Sequence, residues 1–447
     1  MELLRIKDNS YYNKEIFSSV NIVAGKIADK TLEQLEREGV FMFPELVGDS
    51  DGLSVDQTVL QSVNERIKTG NVMGFIGYGN ERIFIGSRFS NGEDDFFLQY
   101  MLEHVLGMPS IVNLETDTSQ ENQIFNYLLF LFPRFLRAAL RKGPFKEYVR
   151  KSYNDDNVRG VIDVIRHVER NTPFLGNIAY NKREFSYDND LMELVRHTIE
   201  YLKNKPYGSK VLAAAKNEVK LVVETTPGYR ASHRQKILGR SRKSPVRHAY
   251  FREYLALQRL CILILRHQRH QIGSGARQLY GILFDGAWLW EEYVYALIDE
   301  AFYHPSNKRR TGAQRLFGKG VGLIYPDFIN HDSSARVIAD AKYKPINNIG
   351  NCDYLQVLAY MFRFDAKRGF YLYPEADENE SLMLRMNMGS TYEDDVRPRD
   401  DVFVIKHGLR IPTYANSYGE FATQMKANEQ EFKIPLIDSF ADTGAVI

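Results

Sequence analysis

The stretch that decides the reading is Tyr325-Pro326-Asp327, followed after a polar interval by Ile338-Ala339-Asp340-Ala341-Lys342-Tyr343-Lys344. Leu323 to Ile329 is an apolar run closed by the turn-forming cluster Asn330-His331-Asp332-Ser333-Ser334, and Ala335 to Lys342 reads as the returning strand. Side chains alternate faces along a strand, so Asp340 and Lys342 point the same way. A turn centred on Ser333 and Ser334 sets Asp327 opposite Asp340. That turn lacks the Asn-Gly or Gly that pins a tight hairpin, which leaves the register free to slip. Pro326 fits a strand start or a sheet edge. Two carboxylates and a lysine in this arrangement are what metal-dependent phosphodiester cleavage requires. The carboxylates hold a hard divalent cation, and the lysine lies beside the attacking water and the phosphate. An Asp-x-Lys triplet alone is as readily the charged face of an ordinary hairpin, so the flanking helices carry much of the weight.

The helix before the hairpin runs from Phe284 to Ile298. With about 100° per residue its apolar face centres near Val294, with Ala287, Trp290, Leu297 and Ile298 alongside. Glu291 then lies at the margin of the buried face and Glu292 on the wet face. A carboxylate at a buried margin needs a partner, and a metal or an active-site lysine would serve. The helix after the hairpin, from Asp353 to Phe362, places Gln356 and Tyr360 four residues apart on one face. Gly369 to Glu375 reads as the next buried strand. The order helix, strand, strand, helix, strand is that of the PD-(D/E)xK nuclease core.

On these residues, the chain from about 275 to 375 resembles the nuclease domain of the McrC family, the cleaving subunit of McrBC-type modification-dependent restriction systems. The stretches that carry the resemblance are Leu283-Phe284-Asp285 through Trp290-Glu291, Tyr325-Pro326-Asp327, Asp340 to Lys344, and Asp353 through Gln356 to Tyr360. Upstream, Arg159-Gly160-Val161-Ile162-Asp163, Arg183 to Ser186 and Asp188-Asn189-Asp190 extend it to about two thirds of the chain. Read this way, Asp327, Asp340 and the carbonyl of Ala341 bind Mg²⁺ (or Mn²⁺), and Glu291 orders the site or a second ion. Lys342 positions the water and stabilises growing charge on the phosphate, while Gln356 and Tyr360 hold the lysine or touch the DNA backbone. The resemblance also implies a partner, a hexameric AAA+ GTPase motor of the McrB type that recognises 5-methylcytosine-type modified double-stranded DNA. It implies docking of the N-terminal domain on that motor and stimulation of its GTP hydrolysis. Because loop tips on a rigid β scaffold commonly carry recognition, the loops around Asn71, Tyr78 and Asn80 are the candidate contacts. The competing readings are an autonomous RecB-like nuclease and a scaffold that only activates the motor. The intact Asp327, Asp340, Lys342 and Gln356 argue against the scaffold.

The rest of the chain bounds this reading. Its 447 residues allow two or three domains, and 44% apolar residues suit a globular core. The expected architecture is α+β and multidomain. A β-rich region covers 1–115, a mainly helical middle covers 116–272, and an α/β PD-(D/E)xK nuclease domain covers 273–447. Lys+Arg 58 against Asp+Glu 57 gives no overall basic field, so DNA contact must rest on local patches. One such patch is Arg230, Arg234, Lys236, Arg240, Arg242, Lys243 and Arg247, with Gly239 to Pro245 read as a polar, basic loop. A solvated loop without a ligand has the same composition. The two cysteines, Cys261 and Cys352, lie far apart, and Met1 to Asp8 shows no signal-peptide pattern; both point to the cytoplasm. The most apolar stretch, Ile124 to Leu140, is interrupted by Pro133, Arg134 and Arg137 and is too short to span a bilayer, so no membrane partner is expected. No nucleotide-binding Gly-x-x-x-x-Gly-Lys-Ser/Thr occurs, and the glycines of Gly74 to Gly79 do not follow such a spacing.

Overall fold

Five strands form the first sheet: β1 (Glu2–Lys7), β2 (Val40–Phe43), β3 (Val72–Tyr78), β4 (Glu81–Gly86) and β5 (Tyr280–Asp285). Their order is β1-β4-β3-β5-β2. The computed structural model describes residues 2–43, 57–91, 95–105, 120–205, 208–270, 279–305, 312–376, 381–391 and 394–438. The β3–β4 hairpin turns at Gly79 and Asn80, where Tyr78 faces Glu81 and Gly79 has φ +60°. Gly74 has φ +136°, and a Cβ there would stand 2.2 Å from the Ile282 carbonyl oxygen, so β3 and β5 meet as closely as they do only without a side chain. The glycine-rich run thus serves sheet contact. One face of this sheet packs a core that includes Ile6, Val40, Val72, Ile76, Ile83 and Leu283.

β5 runs straight into α1 (Gly286–Ile298), whose first turn is capped by the Asp285 side chain accepting from the Ala287 N–H at 2.9 Å. The second sheet then follows: β6 (Phe302–Tyr303), β7 (Phe328–Asn330), β8 (Val337–Ala341), β9 (Arg368–Glu375), β10 (Leu382–Met388) and β11 (Arg397–Arg410). Its order is β6-β7-β8-β9-β11-β10. β7 and β8 are antiparallel, whereas β8 runs parallel to β9 and β9 to β11. The β8-to-β9 crossover is α2 (Asn351–Phe364), which packs Val357, Tyr360 and Met361 on Ile338, Tyr371 and Val404. The segment beyond 380 supplies β10, β11 and α3 (Tyr418–Asp438). The α1 indole of Trp290 donates to the Leu372 carbonyl at 3.0 Å, and Tyr293 donates to Glu429 at 2.6 Å.

Residues 1–124 and 275–447 make one compact unit, and 125–274 make another. This alters the expected three-part plan. The boundaries near 115 and 272 fall outside the described residues, and the segments 1–115 and 273–447 share one unit because β5 lies between β3 and β2.

Among its helices the second unit also carries a small three-stranded sheet. Glu147–Asp155 and Ile178–Ser186 pair antiparallel over nine residues each, with Val161–Ile162 beside them. Polar residues on both sides of that pair hide the strand alternation. Helices Asp190–Lys203, Arg234–Lys243 and Glu253–His270 fill much of the rest. The basic segment expected as a loop over Gly239 to Pro245 is helical to Lys243, because Ile237, Leu238 and Ser241 share one buried stripe.

Candidate active site

The apolar run Leu323 to Ile329 is not one strand. Leu323–Ile324 pairs with Gln314–Arg315, and Phe328–Asn330 pairs with β8. Pro326, which offers no N–H, lies in the break. β7 and β8 pair Phe328 with Ala339 and Ile329 with Ile338, the register of a turn centred on Ser333 and Ser334. Carried one residue further, that register sets Asp327 opposite Asp340. The Ala341 N–H donates to Asp327 Oδ2 at 2.9 Å and ties the two strand ends together.

Asp340 and Lys342 follow Ile338 on the face of β8 that α2 covers. Asp340 is 1% exposed, and neither of its carboxylate oxygens accepts a hydrogen bond. The Lys342 ammonium stands 2.6 Å from Oδ2 as an ion-pair contact without hydrogen-bond alignment. Lys342 Nζ also donates to Gln356 Oε1 at 3.0 Å, and Gln356 Nε2 donates to Tyr360 Oη at 2.7 Å. The i, i+4 pair of α2 is therefore a rail on which the lysine rests.

Electrostatics follow from burial. Desolvation, then the charges of Asp340 and Glu291, hold the Asp327 carboxyl well above the usual carboxylate range. Burial also raises Asp340, against the opposing pull of Lys342. For Lys342 burial favours loss of the proton, but Asp340 and Asp327 outweigh it and keep the ammonium charged. Burial and the charge of Asp340 push the Tyr360 phenol up to about 12.

Glu291 is half-buried, with His304 Nε2 at 3.6 Å from Oε1; His304 Nδ1 lies 2.9 Å from the Asp327 carbonyl oxygen. Glu292, expected on the wet face, is also half-buried and accepts from the Trp288 indole at 3.0 Å, while Ala287, expected inside, is exposed. The apolar stripe is rotated because both tryptophans of α1 turn inward.

Two members of the site escaped the sequence. His304 sits at the end of a two-residue strand with no periodic signal. Asp353 accepts from Lys344 at 2.7 Å and from the Gly350 N–H at 2.9 Å, with Lys342 at 3.7 Å. Burial works against its charge, but those hydrogen bonds prevail and lower its pKa. Its position three residues after Gly350, at the start of a helix, was the available clue.

Among the described residues no three His, Cys, Asp or Glu side chains are gathered as a ready metal cage. Mg²⁺ does not demand one, since it keeps several waters and is commonly held by one or two carboxylates. A carboxylate buried without hydrogen bonds is costly unless a cation or a proton answers it. Lys342 answers Asp340 at Oδ2 alone, Oδ1 is left without a partner, and the Asp327 carboxyl carries the added charges of Asp340 and Glu291, so the residues present fit a divalent cation.

The basic residues separate by environment. Arg234 donates to the Leu265 carbonyl at 3.2 Å and lies over the Tyr201 ring at 5.4 Å, and Arg240 pairs with Asp190 at 3.3 Å. Arg230, Lys236, Arg242, Lys243 and Arg247 are exposed. In the first unit, Asn71 is no loose loop tip: it accepts from Arg88 at 2.9 Å, and its carbonyl accepts from the Gly286 N–H. No helix among the described residues is long and apolar enough to cross a membrane.

Comparison with functionally curated proteins finds no match. Among solved structures, the chain is similar to one titled as a refined half-complex from a tetradecameric assembly of Thermococcus gammatolerans McrB AAA+ hexamers with bound McrC. Identity is 14% over 95% of this chain and 99% of that one, with a TM-score of 0.47. It is also similar to a chain in a cryo-EM structure of the Thermococcus gammatolerans McrBC complex, at 14% identity over 66% of this chain and 87% of that one, with a TM-score of 0.32. A family model described as McrBC 5-methylcytosine restriction system component matches residues 67–374. That match spans most of the chain and takes in every member of the Glu291-to-Tyr360 cluster: the chain belongs to the McrBC 5-methylcytosine restriction system component family, as its McrC-like motifs implied.

Proposed function

We propose that the chain is the metal-dependent endonuclease subunit of a McrBC-type restriction system. It cleaves double-stranded DNA carrying 5-methylcytosine-type modification and acts with a AAA+ GTPase of the McrB type. The observation that carries this reading is the convergence of Asp327, Asp340 and Lys342 at the open ends of β7 and β8, with Asp340 buried, ion-paired to Lys342 through Oδ2 and without a partner at Oδ1. Family membership supports the partner and the modified substrate.

Asp327, Asp340 and the Ala341 carbonyl would hold Mg²⁺ or Mn²⁺, with Glu291 beside them. Such a cation, when bound, polarises the phosphate and lowers the pKa of a coordinated water. Lys342 stays protonated and supplies positive charge where the phosphate gains negative charge. Gln356, itself bonded to Tyr360, fixes the ammonium on the side of α2, so that little reorganisation is needed at the moment of reaction.

The test is cleavage of methylated and unmethylated plasmid by this chain with a McrB-type partner, GTP and Mg²⁺. Cleavage of the methylated plasmid that is lost with EDTA is expected. Equal cleavage without the partner would favour an autonomous nuclease. No cleavage under any divalent cation, with GTP turnover still stimulated, would leave only the scaffold.

A further inference from the structure

The antiparallel pair Glu147–Asp155 and Ile178–Ser186 carries an unusual charge pattern. Arg150 stands directly opposite Arg183, and the next pair, Lys151 opposite Lys182, faces the other side of the sheet. Like charges directly opposite one another destabilise a strand pair. On the lysine face the conflict is answered within the sheet: Lys182 pairs with Glu184 at 2.9 Å, and the charges of both lysines lower the Glu184 pKa.

On the arginine face it is not. The strand residues sharing that face are Tyr148, Ser152, Asn154, Ala179, Asn181 and Phe185, and none is acidic. Asp163 lies within electrostatic reach of Arg150, but it is engaged by Asn181 at 3.0 Å and by the Arg166 N–H at 3.2 Å. Both arginines are exposed.

Beside the arginines lies an aromatic platform. Tyr148 stands opposite Phe185, with ring centroids 5.0 Å apart, and the two are 62% and 53% exposed. Arg183 lies over Tyr148 at 5.1 Å, and Lys146 lies over both Phe185 and Tyr187, at 5.1 and 4.5 Å. Exposed rings interleaved with cations, on a rigid ladder, suit a ligand with regularly spaced anions and flat apolar faces. Unpaired nucleic acid has that chemistry: its phosphates answer cations, and its bases stack on aromatic side chains with little regard to sequence. Duplex DNA keeps its bases stacked inside and offers only its backbone to such a surface.

We infer that this sheet face binds an unpaired DNA strand, with phosphates on Arg150 and Arg183 and bases on Tyr148 and Phe185. The inference rests on the nucleic-acid reading above, but it concerns a surface outside the nuclease cluster and distinct from the Arg230-to-Arg247 segment. The test is fluorescence anisotropy of a labelled oligothymidine and of a mixed-sequence duplex of equal length, with the full chain in EDTA, so that binding is read without cleavage.

Two double variants, Arg150→Ala with Arg183→Ala and Tyr148→Ala with Phe185→Ala, should each weaken oligothymidine binding at least about tenfold. The arginine pair should also reduce the slope of log affinity against log salt by about 1.4, the value for two phosphates of a single strand. The aromatic pair should leave that slope alone. Lys151→Ala with Lys182→Ala is the opposite-face control and should bind nearly as wild type. Thermal unfolding reports folding, and Arg→Gln and Tyr148→Leu variants replace any that fail to fold.

Unchanged oligothymidine binding in both pairs overturns the inference. So does an equal loss of duplex binding in the aromatic pair. Arginine-dependent but aromatic-independent binding of polyglutamate also overturns it, and assigns the face to an acidic protein surface. Wild type that binds oligothymidine through these residues yet cleaves nothing would sink the nuclease reading and leave this one standing. Cleavage with unaltered binding in the variants would do the reverse.

Discussion

The cleft at the ends of β7 and β8 and the arginine face of the second unit both crowd like charges, with opposite surroundings. In the cleft the crowded groups are carboxylates, buried, and Lys342 is the cation nearest them. On the sheet face the crowded groups are guanidiniums standing in water. Burial multiplies electrostatic interaction, so a small number of cleft atoms can control a reaction. Exposure screens it, so the sheet face can influence association and its salt dependence but leaves the chemical step alone. Variants of the two regions should therefore separate turnover from binding.

The largest effect is expected from the cleft. Asp340→Ala should reduce cleavage at least about a thousandfold, with the far-UV circular dichroism and partner binding unchanged. Lys342→Ala should lose cleavage comparably yet still bind Mg²⁺, as a calorimetric titration would read. An Asp340 variant that cleaves near the wild-type rate would remove the cleft from the comparison.

Next come the groups around it. Gln356→Ala frees the lysine from its rail and should cost about 10- to 100-fold in cleavage. Glu291→Gln should fall in the same range, because it changes a charge that bears on Asp327. Glu292→Gln should be nearly neutral, since the amide oxygen can still accept from the Trp288 indole. Equal losses for the two glutamates in a nicking assay would show that Glu291 is only structural.

The pH profile sharpens the contrast further. Asp327 and Asp340 have folded-state pKa values above the usual 3.8. Between 3.8 and those raised values the folded state holds more protons than the unfolded one. Stability of the cation-free protein should therefore fall as pH rises through that window. Divalent cation must displace the same protons, so Mg²⁺ affinity should rise with pH, and saturating Mg²⁺ should flatten the stability profile. Melting curves at several pH values, with Mg²⁺ and with EDTA, test both; a cation-free protein that gains stability across this window would contradict the burial of Asp340. Asp340→Asn should remove part of the slope.

The smallest effect belongs to the exposed pair Arg240 and Asp190. Arg240→Ala should change stability by less than about 1 kcal/mol. Its DNA affinity should drop only slightly, less than for the exposed Lys236 and Lys243. A larger loss, read by anisotropy on duplex DNA, would make Arg240 itself a duplex contact rather than chiefly the partner of Asp190.

The β7–β8 hairpin was legible because its signals are local. Alternation set Asp340 and Lys342 on one face, the turn at Ser333 and Ser334 set the register, and i, i+4 spacing joined Gln356 to Tyr360. What escaped depends on contacts remote in sequence or on weak patterns. His304 reaches the site through tertiary packing alone, and the rotation of α1 is set by where Trp288 and Trp290 find space. The Glu147–Asp155 strand alternates in burial, but polar and charged residues on both faces mask it in the sequence. The Arg234–Lys243 helix buries only a narrow stripe, so its basic surface read as a loop.

β5 also has a consequence for how the chain is made. It is the strand next to β2 and separates it from β3, yet it is translated after the whole second unit. While residues 125–274 emerge, on the order of ten seconds of synthesis, β2 and β3 each wait with an unpaired edge. Such edges invite pairing with other nascent chains. The second unit can fold meanwhile, so the first half of the protein is the last to close.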